Sequence, residues 1–204
     1  MSHLDLIVLT ADKNTQAAIG GLLSRPRALG IRATPATRII VHPRRDPAVL
    51  RDGHNLVRQF VDQARFCLVV FDREGSGELN RSSVELQQTV QSRLDASGWR
   101  DRSAVVVIDP ELEVWVWSDS PVVAEVLGWK DRNLREWLAA NALFPAGARK
   151  PPRPKEAVEA ALRESRTSRS SAIYYDLARR VSFRRCADPA FARLCSCLAA
   201  WFPA

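Results

Sequence analysis

The segment Phe66-Cys67-Leu68-Val69-Val70-Phe71 is apolar at every position and stops abruptly at Asp72. A strand with one face in water alternates apolar and polar side chains, whereas an unbroken apolar strand has both faces covered. Helices on both faces of a parallel sheet supply that cover, so this run alone points to an α/β chain.

The neighbouring segments fit the same plan. Residues 4–10 form a short apolar run, followed by Asp12-Lys13-Asn14-Thr15 and then by Ala17, Ala18, Ile19, Leu22 and Leu23 at helical spacing. Residues 38–42 predict a second strand, and Asp46-Pro47 predicts the N-cap and first residue of a helix reaching about Ala64. After Phe71 a Gly/Ser-containing loop, 72–81, precedes a helix over 83–97 closed by Gly98, and residues 104–108 supply a fourth strand. The order βαβαβαβ predicts a mostly parallel sheet with right-handed crossovers, flanked by helices.

The rhythm then changes. Residues 114–117 suit a strand or a helical turn, and 122–127 and 133–143 suit helices. Residues 145–154 are too rich in proline for a regular element and read as a linker or extended arm. Beyond them, 155–166, 171–181 and 189–202 read as helices, the last with Phe191, Leu194, Leu198 and Trp201 on one face. The expected organisation is an α/β domain over 1–144, a linker over 145–154 and a helical extension over 155–204. Charge divides at the same place. Residues 149–204 hold 12 Lys/Arg against 5 Asp/Glu, while residues 1–148 hold 18 of each, so the whole net charge of +7 belongs to the C-terminal quarter. Such asymmetry points to an acidic partner, nucleic acid or an acidic protein face, with Arg44, Arg45, Arg179, Arg180, Arg184 and Arg185 the candidate contacts and Arg163, Arg166 and Arg169 beside them.

Ligands of a doubly wound sheet bind beyond the carboxyl ends of its strands, and the acids collect there. Asp12 follows the first strand, Asp72-Arg73-Glu74-Gly75-Ser76-Gly77 the third, and Asp109-Pro110-Glu111-Leu112-Glu113 the fourth. Crowded carboxylates repel, and a hard cation such as Mg²⁺ or Mn²⁺ relieves them, with one or two as ligands and water completing the shell. Asp72, Glu74, Glu111 and Glu113 are the expected metal ligands, and Asp12, Asp72 and Glu74 the expected catalytic set. Asp12 alone also suits a helix N-cap, and Asp109 a turn with Pro110. Glu111 and Glu113 would share one face if their segment were extended.

These acids on a βαβαβαβ frame, with Asp72-x-Glu74 after the third strand, resemble the Toprim domain of topoisomerases, primases and related nucleases over residues 4–119. Pro110-Glu111-Leu112-Glu113-Val114-Trp115 resembles the P-x-x-E-x-W signature of small Toprim-like proteins encoded beside bacterial defence genes. With Pro154-Lys155-Glu156 and the Arg185–Phe191 segment included, the chain resembles the small Toprim-like component of methylation-associated anti-phage defence systems. The resemblance implies a Mg²⁺-dependent module for phosphodiester processing or nucleic-acid binding, working with other subunits of the system. Toprim domains generally carry Glu after the first strand and two Asp in the second motif, whereas this chain has Asp12 and Glu74. The departures imply activity that is weak or partner-dependent in isolation, or a non-catalytic assembly or sensing subunit on the same fold.

Other candidates are few. His42 ends the second strand near the rim, where it could shuttle a proton or touch phosphate, while His3 and His54 read as surface residues. Cys195-x-Cys197 lacks a second ligand pair for zinc, and Ser76 does not sit in a G-x-S-x-G elbow. The six tryptophans read mainly as core. No P-loop, dinucleotide fingerprint or HExxH occurs, and neither a bilayer-length apolar run nor a signal-type leader is present, so a cytoplasmic protein with reduced cysteines is expected.

Overall fold

The computed structural model describes residues 4–184 and 186–204. Strands β1 (Leu4–Thr10), β2 (Thr37–Val41), β3 (Ala64–Asp72) and β4 (Ser103–Ile108) form one sheet, parallel throughout, in the order β2-β1-β3-β4. Its inner strands, β1 and β3, carry the apolar runs at 6–9 and 66–71, with both of their faces covered.

Alternate side chains divide between two cores. Ile7, Leu9, Val69, Phe71 and Val105 point toward α3 (Arg45–Arg58) and α4 (Ser83–Leu94), which supply Val49, Val57, Leu86 and Leu94. Leu6, Val8, Leu68, Val70 and Val106 point the other way, into a larger core built with α1 (Lys13–Leu23), α5 (Pro121–Val126), α6 (Leu134–Ala140), α7 (Pro154–Glu164), α8 (Ser171–Arg180) and α9 (Pro189–Trp201). The basic C-terminal helices therefore cover a sheet face together with α1. A short α2 (Pro26–Leu29) lies beside α9 and precedes Ile31, which bridges to Pro203.

Two devices tie the C-terminal helices down. Gly21 lets α8 approach α1 closely, since a Cβ there would fall 2.6 Å from the Tyr175 carbonyl oxygen and 2.8 Å from the Ala178 Cβ. Arg25 then donates from its guanidinium to the carbonyls of Ala178 (2.9 Å) and Val181 (2.7 Å), satisfying acceptors at the C-terminal end of α8. At the sheet edge, Arg193 of α9 donates to the Val105 carbonyl at 2.7 Å, covering an acceptor that an outer strand would leave open.

One boundary differs from expectation, and one open alternative is resolved in favour of the helical turn. The helix after β2 ends at Arg58, and Ala64 opens β3 instead of closing that helix. Residues 112–115 form a 3₁₀ turn, leaving the sheet with its four strands. Among the described residues, no helix is long and apolar enough to cross a membrane.

Candidate functional site: the acidic rim

β1 lies between β2 and β3. The chain leaves β1 for α1 on one face and β3 for α4 on the other, so the two loops part and a crevice opens between them, the usual ligand position in such a sheet. Asp12 and Asp72 stand on its two lips.

Most rim acids are already engaged. Asp12 Oδ1 accepts from the Thr15 N–H at 2.8 Å and caps α1. Asp109 pairs with Arg73 at 2.8 Å, and Glu74 is exposed in the turn Glu74–Ser76. Glu111 accepts from the Lys155 N–H at 3.0 Å, with Lys155 Nζ 3.7 Å from its other oxygen, so it answers the positive N-terminal end of α7. Burial, followed by the Glu113 charge, raises the Glu111 pKa. Glu113 is 4% exposed and accepts from the Tyr174 hydroxyl at 2.6 Å and from Arg169 at 3.3 Å. The expectation that Glu111 and Glu113 share a face is corrected. The 3₁₀ turn Leu112–Trp115 sends one carboxylate to α7 and the other to α8, because residues two apart in a threefold helix point in different directions.

Apart from the exposed Glu74, what remains is a pair, Asp46 and Asp72. Asp46 was expected to cap α3, but Arg44 occupies the N-cap position without a side-chain bond. Asp46 Oδ1 instead accepts from the Asp72 backbone N–H at 2.8 Å. Gly75 makes room for it, since a Cβ there would lie 2.7 Å from the Asp46 carboxyl carbon. Asp72 Oδ1 is enclosed and has no hydrogen-bond partner. Burial first, then the charge of Asp46, then those of Glu113 and Asp12, push the Asp72 pKa well above the ordinary carboxylate range, against the Leu112 amide, which favours the ion. Burial also raises the Asp46 pKa, opposed by the Asp72 amide and reinforced by Asp12.

Asp46 is the rim residue that sequence reasoning missed. Its signal was the strand-end rule applied to β2, hidden because Asp-Pro also reads as a helix start. Two crowded carboxylates with an orphaned oxygen either share a proton or take a hard cation. Among the described residues, no three His, Cys, Asp or Glu side chains group as metal ligands. A two-carboxylate Mg²⁺ site completed by water fits this rim, and an all-protein cage does not.

The basic candidates divide. Arg44, paired with Asp52, and Arg45 follow β2 on the rim itself and are exposed. Arg179, over the Tyr175 ring at 5.6 Å, and Arg180, paired with Glu125 at 2.6 Å, close α8 beside Arg25, at the end of α1 remote from Asp12, roughly 16 Å along that helix. Arg184 is exposed, whereas Arg185 and His3 lie outside the described residues. Arg169 pairs with Glu159 and Glu113, while Arg163 and Arg166 are exposed.

His42 is buried, its Nδ1 accepting from the Arg44 N–H at 3.2 Å, and burial lowers its pKa. His54, expected at the surface, is half-buried on α3. Ser76 closes its turn by donating to the Arg73 carbonyl at 2.6 Å. Cys195 and Cys197 pack half-buried against the core. The tryptophans pack as well: Trp99 and Trp117 are enclosed, and Trp201 stacks on Phe66 at 4.9 Å. Comparison with protein-family models, curated proteins and solved structures gives no match for this chain.

Proposed function

We propose that this chain is a cytoplasmic component of a bacterial anti-phage defence system whose acidic rim takes Mg²⁺ or Mn²⁺ and, with it, a phosphodiester. The observation that carries the reading is the enclosed, unpartnered Asp72 Oδ1 set among Asp46, Asp12 and Glu113 at the switch point of the sheet. Asp46 and Asp72 would hold the cation. Bound there, it would neutralise the crowded carboxylates and polarise a phosphoryl oxygen. Arg44 and Arg45, on the same rim, are placed to hold the phosphate backbone of a nucleic acid.

A second reading has its own support. Asp12 is engaged as a helix cap and Glu113 by Tyr174 and Arg169, which removes two groups a hydrolase of this kind would use. The isolated chain is accordingly expected to cleave nucleic acid slowly or not at all, with activity arising alongside other subunits, or to serve as a non-catalytic assembly or sensing subunit. Calorimetry with Mg²⁺ and Mn²⁺ tests the first step: the wild type should bind at millimolar concentrations or below, and Asp72→Asn and Asp46→Asn should each lose most of that affinity. No binding by the wild type would refute the metal reading. Robust cleavage of DNA or RNA by the chain alone, abolished in Asp72→Ala, would refute partner dependence. Full anti-phage protection by Asp72→Ala in cells would remove the rim from the defence function.

A further inference from the structure

On the α1 side of the sheet, a cavity of about 1190 Å³ lies among α1, α8, the turn at 147–150 and the segments 112–121, 181–184 and 186–189. Apolar groups such as Leu22, Leu177 and Phe191 line it, as do the half-buried aromatic residues Trp115 and Phe183. Arg25 covers one face of Phe183 at 4.8 Å, and Trp115 meets Phe191 edge to face at 5.3 Å.

Most of the charged groups around the cavity are engaged with the protein. Lys150 donates to the carbonyls of Val114 (2.7 Å) and Trp117, Asp188 accepts from Trp115 Nε1 (2.8 Å) and the Phe191 N–H (2.9 Å), and Asp119 pairs with Arg135 at 3.3 Å. Arg149 and Arg184, both lining the cavity, remain, exposed and without an acidic partner among the described residues. Guanidinium groups bind phosphate through paired N–H donors, and an indole face packs against a flat π-system.

We propose that this cavity binds a nucleotide unit, with its base against Trp115 and its phosphate between Arg149 and Arg184. The volume accommodates base, sugar and phosphate with water around them. The same chemistry could arrive as a free mononucleotide or as the phosphorylated end of a single strand. The cavity shares a wall with the acidic rim, since Tyr174 lines it and holds Glu113, and Leu112 lines it and presents its amide to Asp72. Binding itself does not depend on the metal reading.

The test is calorimetric titration of the full chain with AMP, with a short 5′-phosphorylated single-stranded oligonucleotide, and with inorganic phosphate. Saturable binding of AMP or of the oligonucleotide is expected, weakened about tenfold by Arg149→Gln and by Arg184→Gln, which remove charge-assisted hydrogen bonds. Arg163→Gln, at another exposed site, should leave it unchanged. Binding of AMP identifies the free nucleotide, and binding of the oligonucleotide alone identifies a strand end. Trp115→Leu should weaken either ligand, and Arg184→Lys, which keeps the charge, should recover part of the loss, separating phosphate contact from misfolding. The proposal is overturned if neither ligand binds saturably at millimolar concentration, if inorganic phosphate binds as tightly as AMP, or if Arg163→Gln weakens binding as much as the cavity variants.

Discussion

Replacing Tyr174 with Phe removes one oxygen atom from a place that water reaches poorly. The hydroxyl lies 2.6 Å from Glu113 Oε1, Glu113 is 4% exposed, and its remaining side-chain partner, Arg169, is longer at 3.3 Å. A hydrogen bond to a charged acceptor contributes about 1.5–3 kcal/mol, and the loss of one in a buried site falls in that range. For a chain of this length, a loss of about 2 kcal/mol lowers the thermal midpoint by about 4–8 °C. Burial first, and then the Glu113 charge, push the Tyr174 hydroxyl far above the ordinary tyrosine range. A raised pKa leaves the contribution fully present below the unfolded value near 10, so the loss should be the same at pH 6 and pH 9. Circular dichroism melts of the wild type, Tyr174→Phe, Glu113→Gln and the double variant close the cycle, and the two single losses should not add. A shift under about 1 °C for Tyr174→Phe, or strict additivity, would refute the view that Glu113 is held by α8 and would return it to the set of free metal ligands.

Three further outcomes follow from described contacts. Gly75→Ala should drive the Asp46 carboxylate from its seat, lowering stability by about 1–3 kcal/mol in urea unfolding and weakening Mg²⁺ binding together, since the new Cβ would meet that carboxylate at 2.7 Å. In metal-free protein, the raised pKa values of Asp46 and Asp72 give a contribution that is fully present below about pH 4 and is lost as the pH rises through the folded values. The melting point of Asp72→Asn should therefore gain on that of the wild type with rising pH in EDTA, and a gap independent of pH would count against the buried pair. Arg25→Ala should cost about 2 kcal/mol in denaturant unfolding by stripping donors from the Ala178 and Val181 carbonyls, and an unchanged midpoint would show water replacing them.

The sheet was legible because burial on both faces leaves a local mark: every residue of Phe66–Phe71 is apolar, and α/β alternation follows from segment order. The rim was legible as a place, since strand ends determine where Asp12, Asp72 and Asp109–Glu113 gather. Which of these acids stay free was not, because that depends on partners distant in sequence. Tyr174 is 61 residues from Glu113, and Lys155 is 44 from Glu111. Asp46 was obscured by its neighbour, because Asp-Pro has a local meaning at helix starts that outweighed a nonlocal bond to residue 72. The basic quarter was legible only as a count of charges, since composition counts them before pairing and Arg153, Arg169 and Arg180 each meet a glutamate.

The unequal division of the two cores bears on how the chain assembles as it is made. The α3–α4 layer and the sheet it covers are complete once residue 108 has emerged, whereas the opposite face needs Ala157, Leu177, Leu194 and Phe202 as well as α1. A vectorially synthesised chain thus passes through a stage in which Leu6, Val8, Leu68, Val70 and Val106 form an apolar sheet surface with only α1, Leu29 and Ile31 available to shield it. Closing that surface requires contacts between the first and last segments, among them the Ile31–Pro203 bridge. Contacts between segments so far apart in sequence form slowly, and the waiting surface is the one a nascent-chain chaperone would cover.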